Sequence, residues 1–528
     1  MNQANVSEIK LAEQFNFAQH ILELNQDRAE KLAYIDDTQT LSYGELALRA
    51  RRFAAGLKQS GIHREERLLL VMQDTVDMPV ALLGAMLAGV VPVPVNTLLP
   101  AADYAYMLEH SGAGAAVVSE ALWPVVQEAL AALPASTQPL TIFLSGLDHS
   151  AVPGTSSFAQ LLDVPPLAPQ YFAKTRADDF AFWLYSSGST GRPKGTVHSH
   201  ANLFWTAALY GKPILGVRES DLVFSAAKLF FAYGLGNGLT FPLSVGATTV
   251  LMAERPTPQA VFQRLVEHKP TVFCGVPTLY VAMLASDELP AREKVALRIC
   301  ASAGEALSRE IGEKFHSHFG CHILDGLGST EMLHIFLSNR ESDVHYGSTG
   351  TPVPGYELDL RDDGGQPVPR GEIGDLYIRG PSAALLYWAN REKSRATFVG
   401  DWVKSGDKYS IDANGYYTYA GRSDDMLKVS GQYVSPIEVE SALMGHDSVL
   451  ECAVIGVPDA DGLTKTKAFV VLRHPEAACT ELADDLKKFV KSRLAPHKYP
   501  RDISFVQLLP KTATGKIQRF KLRSAEGL

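Results

Sequence analysis

The chain has 528 residues, 46% of them apolar, and its 58 acids outnumber its 49 bases for a formal charge of −9. That length allows more than one domain and large cores, and the acidic balance excludes a nucleic-acid partner held on a basic face. Five cysteines, Cys274, Cys300, Cys321, Cys452 and Cys479, lie far apart with no CxxC pair, which reads as reduced thiols in a cytoplasmic protein and not as a disulfide framework.

The N-terminus, MNQANVSEIKLAEQFN, is polar and carries acids, unlike a signal peptide. Ser42-Tyr43-Gly44-Glu45 is a capping box. The helix after it sets Leu46, Ala50, Phe53 and Leu57 on one face and stops before Gly61. Arg67 to Met72 reads as a strand. Met78 to Val95 is uncharged for eighteen residues, long enough for a membrane span. Pro79, Gly84, Gly89, Pro92 and Pro94 break it, so the expectation is a buried helix over about Pro79 to Leu87, a turn at Gly89 and a strand, with no membrane partner. Strand and helix alternate again through Ala115 to Ser119, the pattern of parallel sheets covered by helices.

Phe180 to Leu184 is a short apolar run that predicts a buried strand. Beyond it Leu222 to Ala226, Thr248 to Met252, Val272 to Gly275 and Leu297 to Ala301 read as strands, with a helix from Pro258 to His268 between them. The fold class is therefore α/β, with two α/β sheet units in a large N-terminal domain. From Gly347 to Gly421 the texture changes to Gly, Pro and short alternating runs. Glu357 to Arg361, the turn Asp362-Asp363-Gly364-Gly365 and Asp375 to Arg379 predict a β-ribbon, and Gly415 to Tyr419 another strand: a small β unit closing that domain. Polar residues mark a boundary, giving 1–421 as the N-terminal domain, 422–425 as a hinge and 426–528 as a small α+β domain. In the latter, Ser435-Pro436-Ile437-Glu438 is a second capping box. Strands follow at 451–456, 468–472 and 503–506, with a helix over 481–494.

The chemistry is concentrated in Tyr185-Ser186-Ser187-Gly188-Ser189-Thr190-Gly191-Arg192-Pro193-Lys194-Gly195. Its glycines let backbone approach a ligand. Its hydroxyls and N–H groups can ring an anion that Arg192 and Lys194 neutralise. The loop suits phosphate but lacks the GxxxxGK[ST] spacing of a Walker A loop. Further polar stretches follow in order: Ser302-Ala303-Gly304-Glu305, Asp325-Gly326-Leu327-Gly328-Ser329-Thr330-Glu331, Ser405-Gly406-Asp407, Gly421 to Lys428, and Pro510 to Lys516.

Taken together, and in this order, these stretches resemble the adenylate-forming superfamily of acyl- and aryl-CoA synthetases across nearly the whole chain. The resemblance implies joining of a carboxylate to AMP from Mg-ATP, then transfer of the acyl group to coenzyme A. It implies that Ser186, Ser187, Gly188, Ser189, Thr190, Gly191 and Lys194 hold the phosphates, that Thr330 touches the α-phosphate, and that Glu331 is the Mg²⁺ ligand, a hard oxygen donor suited to an ion that keeps most of its waters. Ala303, Gly304, Glu305, Asp325 and Gly326 match the adenine slot, and Asp407 with Arg422 the ribose. Lys516 matches the lysine of adenylation, and Asp424 the hinge about which a mobile C-terminal domain swings. Lys428 and Gly431 match the pantetheine tunnel.

For the acid, the family pocket falls on Leu229 to Gly236 and the residues after Glu331. Phe231, Ala232, Tyr233, Gly328, His334 and Ile335 form the expected wall. Rings, glycines and a β-branched residue suit a short flat ring, and these strings look closest to the benzoate-CoA ligases. Leu327 stands where many members have Tyr, and Phe231 where many have His. The expected partners are a small aromatic carboxylate, ATP and CoA, and a homodimer is left open. Rival readings are a ligase for hydroxy- or other substituted benzoates, a stand-alone adenylation enzyme loading a carrier protein, and a non-catalytic nucleotide-binding protein. His316, His318, Cys321 and His322 lack the paired spacing of a zinc site, and His198-Ser199-His200 reads as capping or packing.

Overall fold

The computed structural model describes residues 9–134, 140–146, 152–186, 192–423, 425–429, 432–459, 464–495, 497–511 and 517–526. Two compact units emerge: 1–346 with 350–357 and 378–403, and 347–349 with 358–377 and 404–528.

In the first unit Ser42 accepts from the Glu45 N–H and Glu45 accepts from the Ser42 N–H, so the predicted box starts the helix Tyr43–Gln59. Leu46, Ala50, Phe53 and Leu57 are buried against the helix Asp77–Ala88, which is buried along its length. Gly84 makes that packing close, since a Cβ there would lie 2.8 Å from the Phe53 ring. Gly89 turns the chain at φ +74°. The strand Val91–Pro94 then forms one edge of a five-stranded parallel sheet, where the N–H groups lost at Pro92 and Pro94 cost no ladder bond. Arg67–Val71, Ala115–Ser119, Thr141–Ser145 and Ser156–Ser157 complete it.

The second sheet has nine strands among the described residues. Leu222–Ser225, Thr248–Val250, Val272–Gly275, Ile299–Ala303 and Ile323–Gly328 run parallel. Two corrections apply. Leu32–Ile35 and Thr40–Ser42 belong to this sheet, although they precede the first α/β unit in sequence. The strand expected over Leu297 to Ala301 lies at Ile299–Ala303, because Val272 pairs with Ile299 and sets the register. Beyond Ile323–Gly328 the chain reverses, and Ile335–Ser338 and Thr351–Pro352 are antiparallel. A separate three-stranded antiparallel sheet contains Phe180–Ser186, Lys194–Ser199 and Leu386–Tyr387.

The ribbon Glu357–Arg361 and Gly374–Arg379 forms as expected and continues into Trp402–Ile411 and Tyr417–Arg422. In the second unit, Val449–Pro458 and Thr464–Leu472 pair antiparallel and Asp502–Phe505 adds parallel. Helices Pro436–Met444 and Thr480–Lys491 bury Val439, Leu443, Leu486 and Val490 against them. Only half of the second capping box forms. Ser435 accepts from the Glu438 N–H at 3.1 Å, but the Glu438 carboxylate takes Lys498 Nζ at 2.7 Å. A direct cation outcompetes the backbone N–H for it. No helix among the described residues is long and apolar enough to cross a membrane.

Candidate active site

The predicted phosphate loop joins the two strands of a hairpin: Ser186 lies opposite Lys194 and Tyr185 opposite Gly195. Ser187, Gly188, Ser189, Thr190 and Gly191 lie outside the described residues; the stems are well fixed. Tyr106 Oη donates to the Pro193 carbonyl at 3.0 Å, and the Arg192 guanidinium lies 5.1 Å above the Tyr106 ring. On the other side of the hairpin, Tyr387 pairs with Thr196. Lys194 Nζ sits 4.5 Å from the Tyr387 ring centre and 3.5 Å from its hydroxyl.

The reversal at Gly328–Ile335 brings several expected residues onto one turn. Gly328 pairs with Ile335, and a Cβ on Gly328 would fall 2.7 Å from the His334 carbonyl oxygen, so only glycine fits. Leu333 takes φ +65°. Glu331 Oε1 accepts from Tyr387 Oη at 2.6 Å, and the Glu331 carbonyl accepts from the Ala384 N–H at 2.7 Å. The Thr330 carbonyl meets His198 Nε2 at 2.8 Å. His198 is fully buried, stacked on Phe182 at 5.2 Å and bonded through Nδ1 to Asn202 Nδ2 at 2.9 Å. Burial lowers its pKa to about 3, so the ring is neutral and its Nε2–H donates to Thr330. The packing role expected for His198 therefore holds the Thr330–Glu331 turn against the phosphate-loop hairpin. Tyr387 was not anticipated: a two-residue strand carries no periodicity to read.

Ala303 lies beside Gly326, and Ser302 beside Asp325. Gly304 follows at φ +93°, and Glu305 comes next on the same turn. Burial drives the Asp325 pKa well up, and its Oδ1, like Ser302 Oγ, is buried with no hydrogen-bond partner among the described residues. Such orphans are rare in native proteins and fit a polar ligand edge. In the second unit Asp407 and Arg422 are cross-strand neighbours, joined at 2.9 Å.

Around the expected acid wall, Phe231, Ala232 and Tyr233 are half-buried and His334 and Ile335 buried. His334 Nε2 meets the Tyr233 carbonyl at 3.3 Å. Its ring sits 5.6 Å from Tyr233, 5.3 Å from Tyr210 and 4.5 Å from Phe241. Burial lowers the His334 pKa to about 3, leaving an uncharged ring. Gly236 makes room for it, since a Cβ there would lie 2.3 Å from His334 Cδ2. Tyr210 and Gly236 sit in π-helical turns, Ala207–Gly211 and Gly236–Thr240, a feature frequent at functional sites. Their sequences read as ordinary helix, so Tyr210 went unsignalled, as did Phe241, which starts the α-helix Phe241–Val245 after the second turn. Ile335 packs where a Cβ on Gly326 would lie, 2.9 Å from its Cγ2. Beneath the wall, buried Asp74 accepts from the Leu229 N–H at 3.1 Å.

Asp424, Gly431 and Lys516 lie outside the described residues, and of Lys428 only the backbone is described, paired with Tyr433. Neighbouring Asp425 takes Arg523 Nη1 at 3.0 Å. No cluster of three His, Cys, Asp or Glu side chains suited to a metal occurs among the described residues. His316 stacks on His322 at 4.1 Å, His318 Nε2 meets the Pro290 carbonyl, and Cys321 lies 3.9 Å from Cys300. A Mg²⁺ that keeps its waters needs no such cluster. Glu331 fits it: Oε1 is oriented by Tyr387, and Oε2 makes no hydrogen bond among the described residues.

Residues 23–388 match the family described as AMP-binding enzyme, and 438–516 match the AMP-binding enzyme C-terminal domain. The chain is 55% identical to the benzoate–CoA ligase of Thauera aromatica over 98% of its length and 97% of that protein. It is 48% identical to the 4-hydroxybenzoate–CoA/benzoate–CoA ligase of Rhodopseudomonas palustris, over 94% and 91%. Among solved structures it resembles a benzoate CoA ligase from Burkholderia xenovorans LB400 (TM-score 0.89, 64% identity, 96% of this chain and 100% of that one). It also resembles the anthranilate CoA ligase AuaEII in complex with anthranoyl-AMP (TM-score 0.92, 41% identity, 100% and 99%). With family matches over 23–388 and 438–516 and these relatives over nearly its full length, the chain belongs to the AMP-binding, adenylate-forming family of enzymes.

Proposed function

We propose that the protein is an ATP-dependent aryl-CoA ligase that converts benzoate, ATP and CoA to benzoyl-CoA, AMP and pyrophosphate through benzoyl-AMP. The observation that carries the reading is the single turn that places Glu331 three residues from His334, so the phosphate side and the acid wall are one piece of backbone. A neutral His334 among Tyr210, Tyr233 and Phe241 suits an uncharged ring, and the benzoate–CoA ligases among its relatives support benzoate.

A benzoate oxygen attacks the α-phosphorus and pyrophosphate leaves. The CoA sulfur then attacks the acyl carbon and AMP leaves. Lys194 and the loop 186–191 hold the phosphates, and Thr330 the α-phosphate. Ala303, Gly304, Glu305, Asp325 and Gly326 take the adenine, and Asp407 and Arg422 the ribose. Glu331 would hold Mg²⁺, which when bound neutralises phosphate charge. Lys516 steadies the charge developing in the first step. The division 1–421, 422–425 and 426–528 is kept as a statement about motion: Asp424 is the pivot, and Lys428 and Gly431 face CoA in the second step. Four buried thiols and one exposed, with Cys300 and Cys321 unbridged, favour a reducing cytoplasm.

The test is release of AMP and pyrophosphate from ATP with benzoate, with and without CoA. Turnover that requires CoA and yields benzoyl-CoA supports the ligase. Stoichiometric benzoyl-AMP that CoA does not discharge would favour an enzyme loading a carrier, and no pyrophosphate in either case would overturn the reading.

A further inference from the structure

Tyr387 stands between the two charged groups on which the phosphate side depends. Its hydroxyl donates to Glu331 Oε1 at 2.6 Å, and its ring carries the Lys194 ammonium at 4.5 Å. Among the ion pairs of the described residues, none joins Lys194 to Glu331 directly, although both touch the same phenol. A bare lysine and glutamate this close would tend to pair, and each would then be less available to a ligand of opposite charge.

Tyr387 is built to stay where it is. The residue is buried, and its ring lies 5.3 Å from Phe398. Its N–H donates to Ser394 Oγ at 3.0 Å. Its strand pairs with Lys194–Ser199, Tyr387 opposite Thr196. The neighbouring Ala384 N–H holds the Glu331 carbonyl at 2.7 Å, so the same segment grips both ends of Glu331. A hydroxyl donating to one carboxylate oxygen leaves the other to coordinate a cation and fixes the plane of the group, the usual way an outer partner tunes a metal ligand.

We propose that Tyr387 is a positioning residue for the adenylation step. Its hydroxyl orients the Glu331 carboxylate for the cation that accompanies ATP, while its ring holds Lys194 apart from that carboxylate. The proposal rests on the reading of Glu331 as the Mg²⁺ ligand, and the experiment separates the two.

The measurement is calorimetric binding of the non-cleavable α,β-methylene analogue of ATP to the full-length enzyme over a range of Mg²⁺ concentrations, for the parent, Tyr387→Phe, Tyr387→Leu and Glu331→Gln. It is paired with steady-state kinetics on benzoate. Phe keeps the ring and removes only the hydroxyl. The expected result is that Tyr387→Phe raises the Mg²⁺ needed for half-maximal nucleotide binding about tenfold, the scale of one hydrogen bond to a charged group, with KM for benzoate unchanged. Tyr387→Leu should add a loss of nucleotide affinity that persists at saturating Mg²⁺, because Lys194 is then drawn to Glu331. If Glu331→Gln leaves the Mg²⁺ dependence unchanged, the ligand reading of Glu331 fails. If Glu331→Gln shifts it and Tyr387→Phe does not, the role of Tyr387 is overturned. Equal changes in Mg²⁺ dependence and in benzoate KM for Tyr387→Phe would mark a merely structural tyrosine and also overturn it.

Discussion

The two parallel sheets of the first unit are built alike and do different work. The five-stranded sheet is buried and apolar along Arg67–Val71, Val91–Pro94 and Ala115–Ser119, and its strands pair in parallel throughout. The nine-stranded sheet has the same kind of interior, but past Ile323–Gly328 it turns back on itself. That reversal puts Gly328, Thr330, Glu331, His334 and Ile335 on one tight connection at the carboxyl end of a parallel strand, where α/β sheets place their ligands. The first sheet contributes from below: Asp74, in the loop after Arg67–Val71, pins the Leu229 N–H. The parallel pattern supplies the scaffold, and the antiparallel break brings the candidate site residues together. Substitutions in the two sheets should therefore fail differently, activity in one and stability in the other.

The largest effect is expected at the reversal. Glu331→Gln should slow benzoyl-AMP formation by about a hundred- to a thousandfold, while thioester formation from preformed benzoyl-AMP stays within a few-fold of the parent. Quench-flow measurement of each half-reaction decides it, and equal loss in both would place Glu331 outside the phosphate chemistry.

Next comes the wall itself. Gly236→Ala would drive a Cβ to 2.3 Å from His334, and crowding of that kind costs about 1–3 kcal/mol. KM for benzoate should rise about tenfold or more with KM for ATP unchanged. If both constants move together, the π-turn supports the fold and not the acid.

The smallest effect on turnover belongs to the first sheet. Burial lifts the Asp74 pKa to about 6 from an ordinary 3.8, against the pull of Lys228 and the Leu229 N–H. Because the folded chain binds this proton more tightly than the unfolded one, Asp74 favours folding below about pH 4. That contribution is lost as pH rises through about 6, a difference of roughly 3 kcal/mol. Asp74→Asn keeps an acceptor for Leu229, so it should be more stable than the parent at pH 8, with the gap closing near pH 4 and turnover changing less than about threefold. Thermal unfolding at the two pH values checks this; a gap independent of pH would mean that folding leaves the Asp74 pKa unshifted.

Much of this was legible in the sequence. Capping at Ser42, the buried stretch from Met78 to Val95 and the strands Arg67–Val71, Ala115–Ser119, Leu222–Ser225, Thr248–Val250 and Val272–Gly275 follow from local pattern and breakers, whereas Leu32–Ile35, Thr40–Ser42, Thr141–Ser145 and Ile335–Ser338 did not stand out. Of the glycines expected to line a ligand, Gly326 and Gly328 are close-approach positions, toward Ile335 and the His334 carbonyl, and Gly304 takes φ +93°. What could not be read were features with no local signature. Leu386–Tyr387 is a strand only because Lys194–Ser199, far upstream, pairs with it. The π-helical turns at Ala207–Gly211 and Gly236–Thr240 differ from α-helix by one residue of hydrogen-bond register, which no side-chain pattern records. Tyr210 and Tyr387 reach the candidate site through such features, and Phe241 opens the helix Phe241–Val245 directly after the second π-turn. The half-formed box at Ser435 has the same origin, since Lys498 is distant in sequence from Glu438.

The proposed benzoate specificity requires an aromatic acid to meet the wall around His334. The most direct test is kcat/KM of the unmodified enzyme for benzoate, the 2-, 3- and 4-methylbenzoates and hexanoate, because specificity lies in differential transition-state binding. Benzoate should exceed hexanoate by at least about tenfold, with each methyl group reducing the value as it crowds the packed ring. Preference for hexanoate would contradict the account.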